Sequence, residues 1–122
     1  MNNREKGDIG EDIACNYLKN KGYLIQNRNY QEKYGEIDII AVKDNILHFI
    51  EVKSVYIDKN YDKYRPEENV HNLKQRKLRR MIQVYINRNN LSNSEFRFHV
   101  ITVKIDDFNN MYYIKMLENI IL

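Results

Sequence analysis

Gly35-Glu36-Ile37-Asp38-Ile39-Ile40-Ala41-Val42, then Asp44-Asn45, then Ile46-Leu47-His48-Phe49-Ile50-Glu51-Val52-Lys53: this stretch decides the fold. Two apolar runs rich in Ile and Val, separated by an Asx turn signal, predict a hairpin. Along a strand, residues two apart share a face at a spacing of about 6.6 Å. Glu36 and Asp38 therefore share one face of the first run, and Ile37 and Ile39 the other. Glu51 and Lys53 share a face of the second run, opposite Ile50 and Val52. Ions on otherwise apolar strands need an explanation, because a buried charge must be paired, solvated or metal-bound.

Upstream, residues 8–21 have helical spacing. Ile9, Ile13 and Tyr17 recur every four residues, Ala14 and Leu18 widen the stripe, and Gly22 stands where a C-cap glycine belongs. Glu11 falls about 20° around that helix from Leu18, at roughly 100° per residue, on the edge of the buried stripe. Tyr23 to Tyr30 predicts a strand. Downstream, residues 56–69 are polar, hold the single proline Pro66, and predict a long loop in which Tyr56, Tyr61 and Tyr64 can reach a ligand. Val70 to Asn87 predicts a helix with Leu73, Lys77, Arg80, Met81, Val84 and Tyr85 towards one side. Strands at 96–105 and 111–116 flank a turn. The order αβββαββ implies a mixed sheet with helices packed on it, an α/β (α+β) class, in a single domain over residues 1–122.

Composition narrows the function classes. The 122 residues carry 20 basic and 17 acidic side chains, for a net charge of +3. No apolar run nears the roughly 20 residues that span a bilayer, so no membrane partner is expected. The charged N-terminus lacks a signal-peptide core, and the cytoplasm is the expected compartment. One cysteine, Cys15, excludes a disulfide framework and a cysteine-based zinc finger, and reads as a buried, inert thiol. His48, His71 and His99 have no metal-ligand spacing and read as structural or surface histidines. The positive excess is local. Lys74, Arg76, Lys77, Arg79, Arg80 and Arg88 occupy the second helix without one acid, so no i,i+4 ion pairs form within it, and a polyanion such as DNA is the better partner.

The hairpin brings Asp38 and Glu51 side by side as two hard oxygen donors suited to Mg²⁺ or Mn²⁺. Lys53 beside them can orient a water and stabilise charge on a phosphate. On spacing alone, Glu51 and Lys53 also read as a solvated cross-strand ion pair. The full set tips the balance. Gly10-Glu11-Asp12-Ile13-Ala14, Gly22-Tyr23, Asn29-Tyr30, Gly35 to Ala41, Phe49 to Lys53, Val70 with Lys74, and Arg97-Phe98 resemble the YraN-like family of small bacterial proteins. That family is similar to the PD-(D/E)XK nuclease superfamily, near the archaeal Holliday-junction resolvases.

The resemblance implies a restriction-endonuclease-like core and a metal-dependent endonuclease acting on branched or other structured DNA. It implies Asp38, Glu51 and Lys53 as the catalytic set, with Glu11 joining from the first helix, and the main-chain carbonyl of Val52 as a further metal ligand. Glu36 is a supporting residue, and Lys74, Arg76, Lys77, Arg79 and Arg80 are the nucleic-acid contacts. By analogy with resolvases, a homodimer is expected. Ile37 replaces the proline of the superfamily's name. Val55 stands where relatives carry a base, and His99 where many carry Asp. A non-catalytic nucleic-acid-binding module, or a nuclease acting on RNA or single strands, are the alternatives.

Overall fold

The computed structural model describes residues 3–57 and 72–122. Its elements are α1 (Asn3–Asn20), β1 (Leu24–Glu32), β2 (Gly35–Lys43), β3 (Ile46–Tyr56), α2 (Asn72–Arg88), β4 (Phe96–Asp106) and β5 (Met111–Leu117). The five strands form one sheet in the order β1-β2-β3-β4-β5. β3 and β4 pair in parallel and the other neighbours antiparallel. This mixed αβββαββ arrangement matches a restriction-endonuclease-like core. Among the described residues, no helix is long and apolar enough to cross a membrane.

Asx residues and one glycine end the elements. Asp44 and Asn45 have φ of 56° and 63° between the paired Lys43 and Ile46, a two-residue hairpin whose turn needs positive φ at both positions. α1 closes with the Tyr23 N–H donating to the Leu18 carbonyl and the Gly22 N–H to that of Lys19, each at 3.0 Å. α2 closes the same way, with Asn90 at φ 55° in the glycine's place and the Leu91 N–H donating to the Ile86 carbonyl at 2.9 Å. Asp106 Oδ1 accepts from the N–H groups of Phe108 and Asn109, both at 3.1 Å, and shapes the β4–β5 turn.

Two apolar clusters cover the two faces of the sheet. Leu78, Met81, Ile82, Tyr85 and Ile86 of α2 pack on Ile40, Phe49, Phe98 and Val100. Ala14, Cys15 and Leu18 of α1 pack on Ile39, Ala41, Ile50, Ile101 and Val103. Neighbours along each strand (Ile39 and Ile40, Phe49 and Ile50, Val100 and Ile101) go to opposite clusters, so the sheet lies between the helices.

Four expectations change. The buried line of α1 runs through Gly10, Ala14, Cys15 and Leu18, while Ile9, Ile13 and Tyr17 are only partly buried. The close approach explains this at the start of the line: a Cβ on Gly10 would lie 2.6 Å from Ser54 Cβ, so glycine fits there and larger residues do not. On α2, Lys77 and Arg80 are exposed, and the buried stripe follows Leu78 at i+3, i+4, i+7 and i+8. On β2, Ile37 joins the α2-side cluster and Ile39 the α1-side cluster, so the two do not share a face. The alternation slips at Asp38, where the β2–β3 pairing also stops, its last pair being Ile39 with Ile50. Tyr56 ends β3 and packs with the α1-side cluster instead of lying in a loop. The remainder of the expected loop, with Tyr61, Tyr64 and Pro66, lies outside the described residues.

Candidate functional site

The slip at Asp38 builds the site. The backbone ladder between β2 and β3 ends at Ile39 with Ile50 although both strands run on, and beyond it a side chain joins them: Asp38 Oδ2 accepts the Val52 N–H at 2.7 Å. This bond holds the Asp38 carboxylate against β3. It also leaves Asp38 close to α1, where ligand oxygens of Glu11, Glu36 and Asp38 all lie within 4.8 Å of one another.

Three carboxylates at that spacing repel unless something intervenes. The neighbourhood supplies partial compensation. Arg28 of β1 pairs with Asp12 at 2.9 Å and reaches Glu11 at 4.0 Å. The Asn29 amide, oriented so that its nitrogen donates, lies 2.8 Å from Glu36 Oε1 and 3.0 Å from Glu11 Oε1. Asn29 has φ 53° within β1, a left-handed conformation that Asn tolerates better than most residues. Burial first, and the Asp38 charge second, still push the Glu11 carboxyl from its ordinary 4.5 up to about 7. A cleft of about 310 Å³ opens beside the group, lined by Gly7, Asp8, Glu11, Asn29, Gln31 and Glu36.

Glu51 and Lys53 form the second half of the site. The Glu51 side chain is buried, and Lys53 Nζ lies 3.5 Å from its Oε1. Ile50 and Val52 belong to the α1-side cluster, so alternation sends Glu51 and Lys53 the other way. Glu51 therefore stands outside the tight group of three, which is Glu11, Glu36 and Asp38 where the sequence pointed to Asp38 with Glu51. The Asp38–Val52 hydrogen bond joins the two halves. The three carboxylates are hard oxygen donors within 4.8 Å of one another, the donor type that small divalent cations prefer.

The basic residues of α2 divide. Arg76 and Arg80 lie about 40° apart on the solvent crest, and Lys77 and Arg79 flank them on either side, at 3.6 residues per turn. Arg80 stacks on Tyr34 at 4.0 Å from the ring centroid, and Arg88 is held by Glu32 at 2.7 Å. The side chain of Lys74 lies outside the described residues. α2 covers the face opposite α1, so these bases and the carboxylate group approach the sheet from different sides.

Arg28 and Asn29 are the site residues that sequence reasoning missed. Asn29-Tyr30 was visible as part of a family pattern, but a left-handed residue inside a strand leaves no periodic signal. His48 and His99 are structural, in a way that spacing could not reveal, and His71 lies outside the described residues. The Asn119 N–H donates to His99 Nδ1 at 3.0 Å, which puts the His99 proton on Nε2, 2.8 Å from His48 Nδ1. Burial lowers the pKa of both rings, that of His99 to about 4, with His48 the next cause there. Cys15 is buried, and desolvation raises its thiol pKa, as an inert thiol requires.

Comparison with known proteins adds a family. The family described as Uncharacterised protein family UPF0102 matches residues 10–103. A UPF0102 protein of Clostridium botulinum (strain 657 / Type Ba4) is 42% identical over 118 residues, covering 96% of this chain and 94% of its own. A UPF0102 protein of Campylobacter lari is 47% identical over 115 residues, covering 93% and 91%.

Proposed function

This chain belongs to the uncharacterised protein family UPF0102, the YraN-like family, and from that premise and the site's geometry we propose that it is a metal-dependent endonuclease hydrolysing phosphodiesters of branched or otherwise structured DNA. One observation carries this reading: Asp38 touches both halves of the site, standing within ligand distance of Glu11 and Glu36 and bonded to the Val52 amide between Glu51 and Lys53.

Glu11, Glu36 and Asp38 would hold a Mg²⁺ or Mn²⁺ ion, and Glu51, which stands outside this group, and the Val52 carbonyl are the donors that the family resemblance implies on the β3 side. Such an ion, when bound, polarises a phosphate oxygen and lowers the pKa of a water. The protein does the rest. Val52 fixes the angle of Asp38 through the 2.7 Å bond. Glu51 holds the Lys53 ammonium, which donates to a non-bridging phosphate oxygen as negative charge grows there. Glu11 carries a proton on a large fraction of molecules near pH 7 and releases it when a cation arrives. A water that gives up one proton to solvent adds to phosphorus as the bond to one sugar oxygen breaks, and that oxygen leaves with a proton from solvent. Arg76, Lys77, Arg79 and Arg80 supply phosphate contacts that position the duplex without reading its sequence.

The test is a Mg²⁺- and Mn²⁺-dependent cleavage assay over duplex, single-stranded and four-way-junction DNA. Metal-dependent cleavage, strongest on the junction, is expected. Lys53→Ala should remove cleavage while leaving DNA binding nearly intact. Arg76→Ala should weaken binding of all sequences alike and lower the salt slope by about 1. Normal cleavage by Lys53→Ala, on a substrate the parent cleaves, would leave a nucleic-acid-binding module as the function.

A further inference from the structure

The two edges of the sheet differ in kind. β1, at one edge, is bulged between Ile25 and Asn27, carries Asn29 at positive φ, and presents Gln26, Arg28, Gln31 and Glu32. These features keep a second strand from pairing there. β5, at the other edge, has neither bulge nor positive φ, and Lys115 is its one charged side chain. It pairs with β4 in unbroken register over seven residues, Met111-Tyr112-Tyr113-Ile114-Lys115-Met116-Leu117, without acid, glycine or proline. Met111, Tyr112 and Tyr113 are 51%, 56% and 49% exposed.

We propose that β5 pairs antiparallel with β5 of a second copy of this chain, across a two-fold axis at Ile114, to give a continuous ten-stranded sheet. The register follows from the sequence of the strand. With Ile114 opposite Ile114, Tyr113 faces Lys115, Tyr112 faces Met116 and Met111 faces Leu117. All seven residues find partners, and each Lys115 ammonium lies beside a tyrosine ring. A two-residue shift towards the C-terminus would set lysine against lysine. The faces also agree. Ile114 and Met116 pack towards α1 and Leu117 towards α2, and the two-fold keeps each set opposite its own kind. Tyr112, Tyr113 and Met111 each leave about half of roughly 200 Å² exposed, about 600 Å² over two copies, to which the strand backbone adds, so the interface falls in the weak class below about 1,000 Å². Self-association at roughly 10–100 µM is therefore expected. The inference does not depend on the nuclease reading.

Sedimentation velocity on the full chain between about 1 and 200 µM tests it. The parent should shift from monomer to dimer across that range. Tyr113→Lys sets two lysines opposite each other on both sides of the central Ile114 pair and should raise the dissociation constant at least about tenfold, with an unchanged circular dichroism spectrum showing that the protomer is folded. Adding Lys115→Tyr to that variant restores a tyrosine–lysine pair in swapped order and should recover the dimer. A surface change that merely altered solubility would not show this recovery. A parent that stays monomeric at 200 µM, a Tyr113→Lys variant that dimerises like the parent, or a swapped variant that stays monomeric would each overturn the proposal.

Discussion

Replacing Gly10 by Ala pits helix propensity against packing, and the structure says which wins. In isolation the change favours the helix by about 1 kcal/mol, because alanine loses less backbone entropy than glycine. Against this, the new Cβ would sit 2.6 Å from Ser54 Cβ and 2.7 Å from Ser54 Oγ, where carbon–carbon contacts prefer about 3.5–4.0 Å. Ser54 is short and its Cβ is anchored to β3, so it cannot swing away, and α1 must lift by about 1 Å. Lifting loosens Ala14, Cys15 and Leu18 against the sheet. Overpacking of this kind costs roughly 1–3 kcal/mol, so the net loss should be about 0–2 kcal/mol, or about 4 °C in Tm at the middle of that range for a chain of this size. Urea unfolding of Gly10→Ala, Ser54→Gly and the double variant forms a cycle, and the coupling between the two sites should be about 1–2 kcal/mol in favour of the double variant. The same movement draws Glu11 away from Asp38, so the Glu11 carboxyl should titrate below about 7 in Gly10→Ala when followed by NMR. A Gly10→Ala protein more stable than the parent, with no coupling to position 54, would refute the close approach of α1 to β3.

Glu11→Gln should stabilise the metal-free protein at pH 8 by roughly 1–2 kcal/mol, the shift from 4.5 to about 7 being discounted for partial solvent screening, and should have little effect below pH 4.5. The sign follows from a folded-state pKa above the unfolded one: the folded chain holds an extra proton between those values, and stability is lost as pH rises through about 7. The histidine pair works in the opposite direction. Its folded pKa values lie below 6.5, so its contribution is present above that pH and is lost as pH falls towards about 4; His99→Gln should flatten this acid limb in urea midpoints measured from pH 7 to 4.5. Asp38→Asn keeps an oxygen for the Val52 N–H and should stay folded, yet lose Mn²⁺ binding by calorimetry; unchanged affinity would remove Asp38 from the metal site.

Elements were legible wherever periodicity and turn chemistry agreed. Asp44-Asn45 announced its hairpin, Gly22 its helix end, and the charge at Glu11, Asp38, Glu51 and Lys53 stood out against apolar runs. What escaped was physics that carries no hydrophobic signal. Gly10 and Ala14 mark the tightest line of α1 because they are small, whereas pattern reading gave weight to Ile9, Ile13 and Tyr17. A strict period of two placed Ile37 with Ile39, and it failed at Asp38, where a side chain replaces a rung of the ladder. Asn29 bridges Glu11 and Glu36 from a backbone conformation that its sequence neighbours do not imply. On α2, charged Lys77 and Arg80 were assigned to the side that Leu78 and Ile82 occupy, because a helix so rich in bases shows its apolar stripe weakly.

The parallel ladder between β3 and β4 has a kinetic consequence. It joins Leu47 to Phe96 and continues through ten pairs to Tyr56 and Ile105, so each rung closes a loop of about fifty residues. The β1–β2, β2–β3 and β4–β5 hairpins close far shorter loops. Folding should therefore proceed from two locally formed pieces, with their docking as the slow event, seen as φ-values near zero for Ile101→Val and well above zero for Ile40→Val. Glu11, Asp38, Glu51 and Lys53 all lie on the earlier piece. Asp38, Glu51 and Lys53 are thus brought together by a short-range hairpin, α1 adds Glu11 over a longer loop, and β4 arrives afterwards as a wall against β3.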